Sequence, residues 1–213
     1  GWWTVGSEKI SKSKGNIVDP VYLMERYGTD GFRYFLLREV TFGLDGEYSE
    51  EKFIKRYNSD LANDLGNLVN RTINLVEKLF GGVFPESNIS TDMERLIDNV
   101  IAEVERSMLN ISFTEALDNI WKIINELNKL LDREKPWNAP LDSARHTISQ
   151  CISGISIISV LIYPFIPETS KTIWNILNIK HKDDKILLSN DLLKIPSGTK
   201  SGKREILFMR IKT

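Results

Sequence analysis

The sequence predicts a mainly α protein: an antiparallel helical bundle preceded by a small mixed α/β region. Three observations carry this prediction. From Ser49 onward, apolar residues recur with the 3.6-residue helical period in one segment after another. Caps and breakers divide these segments, among them Gly81-Gly82, Ser112, Pro136, Pro140, Pro164 and Pro167. The clearest strand signal is the opening Gly1-Trp2-Trp3-Thr4-Val5, aromatic and β-branched as a buried strand should be.

Taken in order, that strand leads into a polar, glycine-bounded loop from Gly6 to Asn16. Asp19-Pro20 reads as an N-cap followed by a proline at the first helical position. A short helix then runs to Tyr27 and stops at Gly28, with Thr29 or Asp30 capping the next helix, whose Phe32, Phe35 and Leu36 share one side. Gly43, Asp45 and Gly46 supply turn chemistry before Tyr48, where we place the boundary between residues 1–48 and 49–213. Ser49 caps a long helix that carries Leu61, Leu65, Leu68, Val69, Ile73, Val76 and Leu79 and ends at Gly81. Thr91 opens the next, with Leu96, Val100, Val104 and Met108 inward, and Ser112 to Leu131 forms a third. A loop from Asp132 to Pro140 connects to a fourth helix over 141–163, and a fifth begins near Pro167. The apolar run Glu205 to Ile211 is expected to dock back as a strand or helix. Short connections between amphipathic helices make antiparallel neighbours.

Composition narrows the function classes. Lys+Arg is 28 against Asp+Glu 29, a net charge of -1, so a surface that coats nucleic acid throughout is excluded and any such contact must be local. A single cysteine, Cys151, allows no internal disulfide and fits a reducing compartment; flanked by isoleucine, it reads as buried and inert. Two distant histidines, His146 and His181, build no zinc knuckle. The uncharged stretch from Thr147 to Pro167 approaches membrane-span length, but its serines mark a small face for close packing, so a buried helix is expected instead. A strand such as Gly1–Val5 needs partners, which leads us to expect part of a larger protein upstream.

Two constellations carry chemistry. Lys9, Lys12 and Lys14 alternate with Ser11 and Ser13 and run into Gly15. Ammonium groups, hydroxyls and glycine-freed amides suit phosphate oxygens, although the Walker spacing is absent and the plain reading of a charge run is a solvated loop. Asn67 and Arg71, one turn apart on one helix face, offer an amide and a guanidinium that can read the edge of a splayed base; such pairs are more often simply exposed. Pro136-Trp137, in a polar inter-helix loop, either closes the core or offers a stacking face for an unpaired base. Trp121 and Trp174 stand among isoleucines and leucines, where core packing is the default.

Lys9-Ile10-Ser11-Lys12-Ser13 resembles the KMSKS signature of class I aminoacyl-tRNA synthetases, with Ile10 at the Met position, and Gly15-Asn16 and Asp19-Pro20 continue the likeness. Tyr27 to Leu37 is similar to that class's YGADALRYFLL stretch. Within the class, Gly1–Val5 and Tyr57 to Arg71 resemble the methionyl-tRNA synthetase family, strongly over the first 80 residues and more loosely beyond.

The resemblance implies that residues 1–48 hold the KMSKS loop and a stem-contact region, and 49–213 an α-helical anticodon-binding domain. It implies that Lys9 and Lys12 stabilise charge on the transferring phosphoryl oxygens, with Ser11 and Ser13 helping to hold ATP; one such contact is worth about 2.7–4 kcal/mol. It implies that Asn67, Arg71, Pro136 and Trp137 recognise a CAU anticodon, chiefly its cytosine, with Asn63 and Asn70 as further contacts. Trp3 would lie near the adenylate site. The whole enzyme would use methionine, ATP and Mg²⁺ to charge the methionine-accepting tRNA in the cytoplasm. No HxGH pattern occurs in the chain, so alone it is expected to be inactive and without bound cofactor; a monomer is the default expectation. The alternatives are the helical part of another class I synthetase, such as the cysteinyl, leucyl or valyl enzyme, or a stand-alone RNA-binding module.

Overall fold

The computed structural model describes residues 1–6, 8–9, 18–86, 88–179, 195 and 197–212, with Lys9 described by its backbone alone. A three-stranded sheet opens the chain in the order β2-β1-β3. Strand β1 (Trp3–Val5) runs antiparallel to β2 (Glu8–Lys9) and parallel to β3 (Gly46–Glu47), with Thr4 opposite Lys9 and Trp3 opposite Gly46. Gly46 is needed at this crossing, because a Cβ there would approach the Trp3 ring to 3.2 Å and Val40 Cγ2 to 2.4 Å. Trp3 reaches over it to Phe35, ring centroids 5.8 Å apart. The predicted buried strand is only half covered, however, and Trp2 is 63% exposed.

Helix α1 (Pro20–Tyr27) starts as the sequence predicts, with the Asp19 carboxylate accepting from the Val21 N–H at 2.9 Å, and stops at Gly28, whose φ of 82° suits glycine alone. Helix α2 (Thr29–Glu39) begins directly after it, and here the expected cap is corrected. Gly28 holds the N-cap position with no side-chain bond. Asp30 is buried and serves another helix: its Oδ2 accepts from the Thr169 N–H at 2.6 Å and the Thr169 hydroxyl at 2.7 Å, capping α8 (Pro167–Leu177) across the fold. Arg33 joins the same seam by donating to the Phe165 and Pro164 carbonyls.

The Ser49 hydroxyl caps α3 (Glu50–Arg56) through the Lys52 N–H. The helix then continues unbroken through a π-helical segment, Tyr57–Gly66, into α4 (Asn67–Phe80), which Gly81 ends in the left-handed region. The sequence predicts one uniform α-helix here. Widening the turn keeps Leu61, Leu65 and Leu68 buried, so the apolar pattern does not reveal it. Helix α5 (Thr91–Leu109) opens at Thr91 as predicted, capped by the Ser90 hydroxyl. Helix α6 (Phe113–Glu134) runs past the predicted loop start, so Asp132 is helical, and Lys135 at φ 44° makes the turn.

Helix α7 (Leu141–Leu161) is the centre of the bundle, packed against α4, α5, α6 and α8, and every residue from Thr147 to Leu161 is buried. Its small residues let neighbours close in. A Cβ at Gly154 would meet Leu127 Cδ1 at 2.5 Å, and Ser159 accepts from the Trp174 indole N–H at 2.8 Å. Among the described residues no helix is long and apolar enough to cross a membrane.

The returning tail docks, but neither as strand nor as helix. Ser201 N–H donates to the Gly82 carbonyl and Gly202 N–H to that of Ile176, and the Asn58 side chain both donates to and accepts from the Ile211 backbone. An amide side chain thus replaces a neighbouring strand. Phe208 packs edge-on to Tyr57, while Ile206 and Met209 point outward.

Candidate functional site

Helix α4 presents an exposed Asn67 at its first position and Arg71 one turn later. Helix α6 runs beside it and brings Asp132 to 2.7 Å from the Arg71 guanidinium. Beyond α6 the chain turns tightly, with the Asn138 N–H donating to the Lys135 carbonyl. Pro136 is buried in this turn and anchors it; the next residue, Trp137, remains 44% exposed. Arg71 Cζ lies 5.4 Å from the centre of the Trp137 ring. The structure therefore brings Arg71, Pro136 and Trp137 to one corner of the bundle, with Asn67 one helical turn away from Arg71.

Neither contact locks the guanidinium. A cation on an exposed indole is worth about 0.5–1 kcal/mol, and an ion pair whose Asp132 side is 66% exposed is worth about 0–1 kcal/mol. Arg71 is thus pre-aimed and still able to move. A planar heterocycle could stack on this indole while its edge meets an amide and a guanidinium.

Asn63, Asn67, Asn70 and Asn74 succeed one another at spacings of four, three and four along a single helix face. Arg204 from the tail occupies the lower part of this row, donating to Asn70 Oδ1 at 2.7 Å and 3.0 Å and to Asn74 Oδ1. Asn70 is therefore committed to the tail, whereas Asn63 and Asn67 are exposed.

Beneath the row lies a buried polar layer. The Tyr34 hydroxyl donates to Asp60 Oδ2 at 2.8 Å, and Arg56 and Arg38 approach the same carboxylate to 3.4 Å and 3.8 Å. Burial and the Asp60 charge push the Tyr34 phenol up, so it remains a donor. Burial, and then repulsion from Asp60, raise the Asp64 carboxyl to about 6, partly offset by the Trp121 indole N–H. Asn128 Nδ2 donates to the Asp64 backbone carbonyl at 3.1 Å. Burial pushes the Cys151 thiol up to about 12, as its inert reading requires. Trp121 and Trp174 are buried in the core.

Ser11, Lys12, Ser13 and Lys14 lie outside the described residues, as does the Lys9 side chain. Sequence reasoning misses Asp132 and Arg204 as neighbours of these residues. Only the packing of α6 and the tail against α4 brings them near, and no spacing in the chain records that.

A sequence model described as "tRNA synthetases class I (M)" matches residues 1–73, and one described as "Anticodon-binding domain of tRNA ligase" matches residues 91–207, more than half of the chain. The chain belongs to the methionyl-tRNA synthetase family. It is 40% identical to the methionine–tRNA ligase of Fusobacterium nucleatum over 99% of this chain and 35% of that protein. Against the Caldanaerobacter subterraneus methionine–tRNA ligase it is 41% identical, over 99% of this chain and 34% of the relative. The chain thus spans about a third of the length of these curated relatives. Among solved structures, Mycobacterium tuberculosis methionyl-tRNA synthetase bound by methionyl-adenylate aligns with a TM-score of 0.85 and 30% identity, covering 97% of this chain and 43% of that one. The apo form of the same synthetase gives 0.82 and 31%, covering 92% and 42%.

Proposed function

We propose that this chain is the part of a methionine–tRNA ligase that recognises the CAU anticodon, in an enzyme that joins methionine to its tRNA at the expense of ATP. The observation that carries the reading is the exposed Trp137 ring with Arg71 poised over it beside Asn67. Cytosine presents an amino donor and two acceptors on its pairing edge. An asparagine carbonyl can accept from the amino group while a guanidinium donates to the ring nitrogen and carbonyl, and the indole stacks on the base at about 1–3 kcal/mol. Uracil reverses the donor pattern and forfeits the asparagine bond. The buried Pro136 holds the indole in place.

In the whole enzyme, Lys9 and Lys12 would close over the phosphates of ATP, with Ser11 and Ser13 as hydroxyl partners. Mg²⁺ would enter as the counter-ion of the nucleotide. Residues 1–48 would meet the tRNA stem. The whole protein would act in the cytoplasm, and this chain would be a monomer.

The test is binding of labelled anticodon stem-loop hairpins to the 213-residue chain. The CAU hairpin should bind more tightly than hairpins of unrelated anticodon. Trp137→Ala should weaken it about tenfold or more, in keeping with the loss of one stacked base. Equal binding of all hairpins by the unaltered chain would refute the assignment.

A further inference from the structure

A π-helical segment of this length is an uncommon feature, and such geometry has to be held in place. Tyr57–Gly66 ends at the residue before Asn67, so it sets the angle about the helix axis at which Asn67 and Arg71 emerge. At the junction the Asn67 N–H is shared between the Ala62 carbonyl, five residues back, and the Asp64 carbonyl, three back. Gly66 has an ordinary helical φ of -63°, so its value here is space: a Cβ would stand 2.9 Å from the Leu61 carbonyl oxygen, which is backbone and cannot swing aside. Asn128 donates to the Asp64 carbonyl within the widened turns. At the segment's start, Tyr34 holds Asp60, and the Asn58 side chain grips the tail at Ile211.

We propose that this π register, made possible by Gly66 and held by Asn128, aims Asn67 and Arg71 at Trp137, so that Gly66 and Asn128 are positioning residues for reading the first anticodon base. The inference rests on the anticodon reading above. Returning the segment to α geometry changes the rotation of each of its ten residues and so turns everything beyond it about the helix axis. The apolar face of α4 resists that rotation through buried Leu68, Val69 and Ile73. The strain therefore falls on the exposed side of the helix, where the two reading residues stand.

The experiment is a double-mutant cycle on the 213-residue chain, with CAU and UAU hairpins as probes and thermal melting to confirm the fold. Gly66→Ala should lower the CAU-to-UAU affinity ratio about tenfold while the chain stays folded. In an Asn67→Ala/Arg71→Ala background the same substitution should change the ratio little, because both groups it aims are gone. Asn128→Ala, which leaves the helix backbone untouched, should act in the same direction, and it decides the matter if Gly66→Ala does not fold. An unchanged ratio in folded variants, or an equal loss in both backgrounds, would overturn the positioning role. An unaltered chain that does not distinguish the two hairpins would overturn the anticodon reading and this inference with it.

Discussion

Asp64 shows how much a single side chain gives up to stand in this polar layer. Its carboxyl is raised to about 6 by burial and by Asp60, so the folded chain holds that proton more tightly than the unfolded chain does. The ionised form therefore costs stability, and the cost develops as pH rises from about 4, the ordinary carboxylate range, through 6. Asp64→Asn should stabilise the chain by about 1 kcal/mol at pH 7.5, a figure discounted for partial exposure, and the gain should vanish near pH 4. Urea unfolding at the two pH values checks this; a gain that does not change with pH would show that the charge is not the cause. Arg71 is governed by the opposite economy, since its two exposed contacts are weak enough to be exchanged for a ligand.

At the scale of elements, one buried carboxylate in the junction between the first region and the bundle caps a helix distant in the chain. Asp30, on α2, supplies the cap that α8 lacks from its own sequence, because Ile166 stands at the α8 N-cap position. Asp30→Ala removes a charge-assisted cap and leaves the Thr169 N–H and hydroxyl buried without a partner. The expected loss is about 2–3 kcal/mol, greater than for an exposed cap, measured by urea denaturation. Ser49→Ala, which removes an exposed cap, should cost about 1 kcal/mol and provides the comparison.

Across the whole molecule, charge is nearly balanced at -1, and many cations are already engaged: Arg38 with Asp118, Arg56 with Glu39, Arg71 with Asp132, Arg204 with Glu77. Binding to an anticodon hairpin should then rest on stacking and base edges more than on phosphates. With about two or three phosphate contacts, the logarithm of affinity should fall with the logarithm of salt at a slope of roughly -2. Titrations from low to high potassium chloride measure that slope; a value several times steeper would mean a phosphate-tracking surface that the described residues do not explain.

The order of amino acids is enough to specify the helical bundle, most of its caps and the succession of its elements, because periodicity, Gly28, Ser49, Gly81 and Pro167 act through their near neighbours in the chain. It also marks Asn67, Arg71 and Trp137, through their likeness to the methionyl-tRNA synthetase family. It cannot carry any pairing between distant segments of similar local character. Asp30 looks like a cap for its own helix and caps another; Asp132 looks like a loop residue and is helical beside Arg71; Glu205–Ile211 looks like a strand or helix and lies as a strap that Asn58 grips. The π segment is hidden for a related reason: Leu61, Leu65 and Leu68 stay buried through it, so its apolar pattern reads as that of an ordinary helix. Local propensity fixes which elements form. Their mutual burial alone decides which polar groups meet, since a buried donor must find its acceptor wherever in the chain that acceptor happens to be.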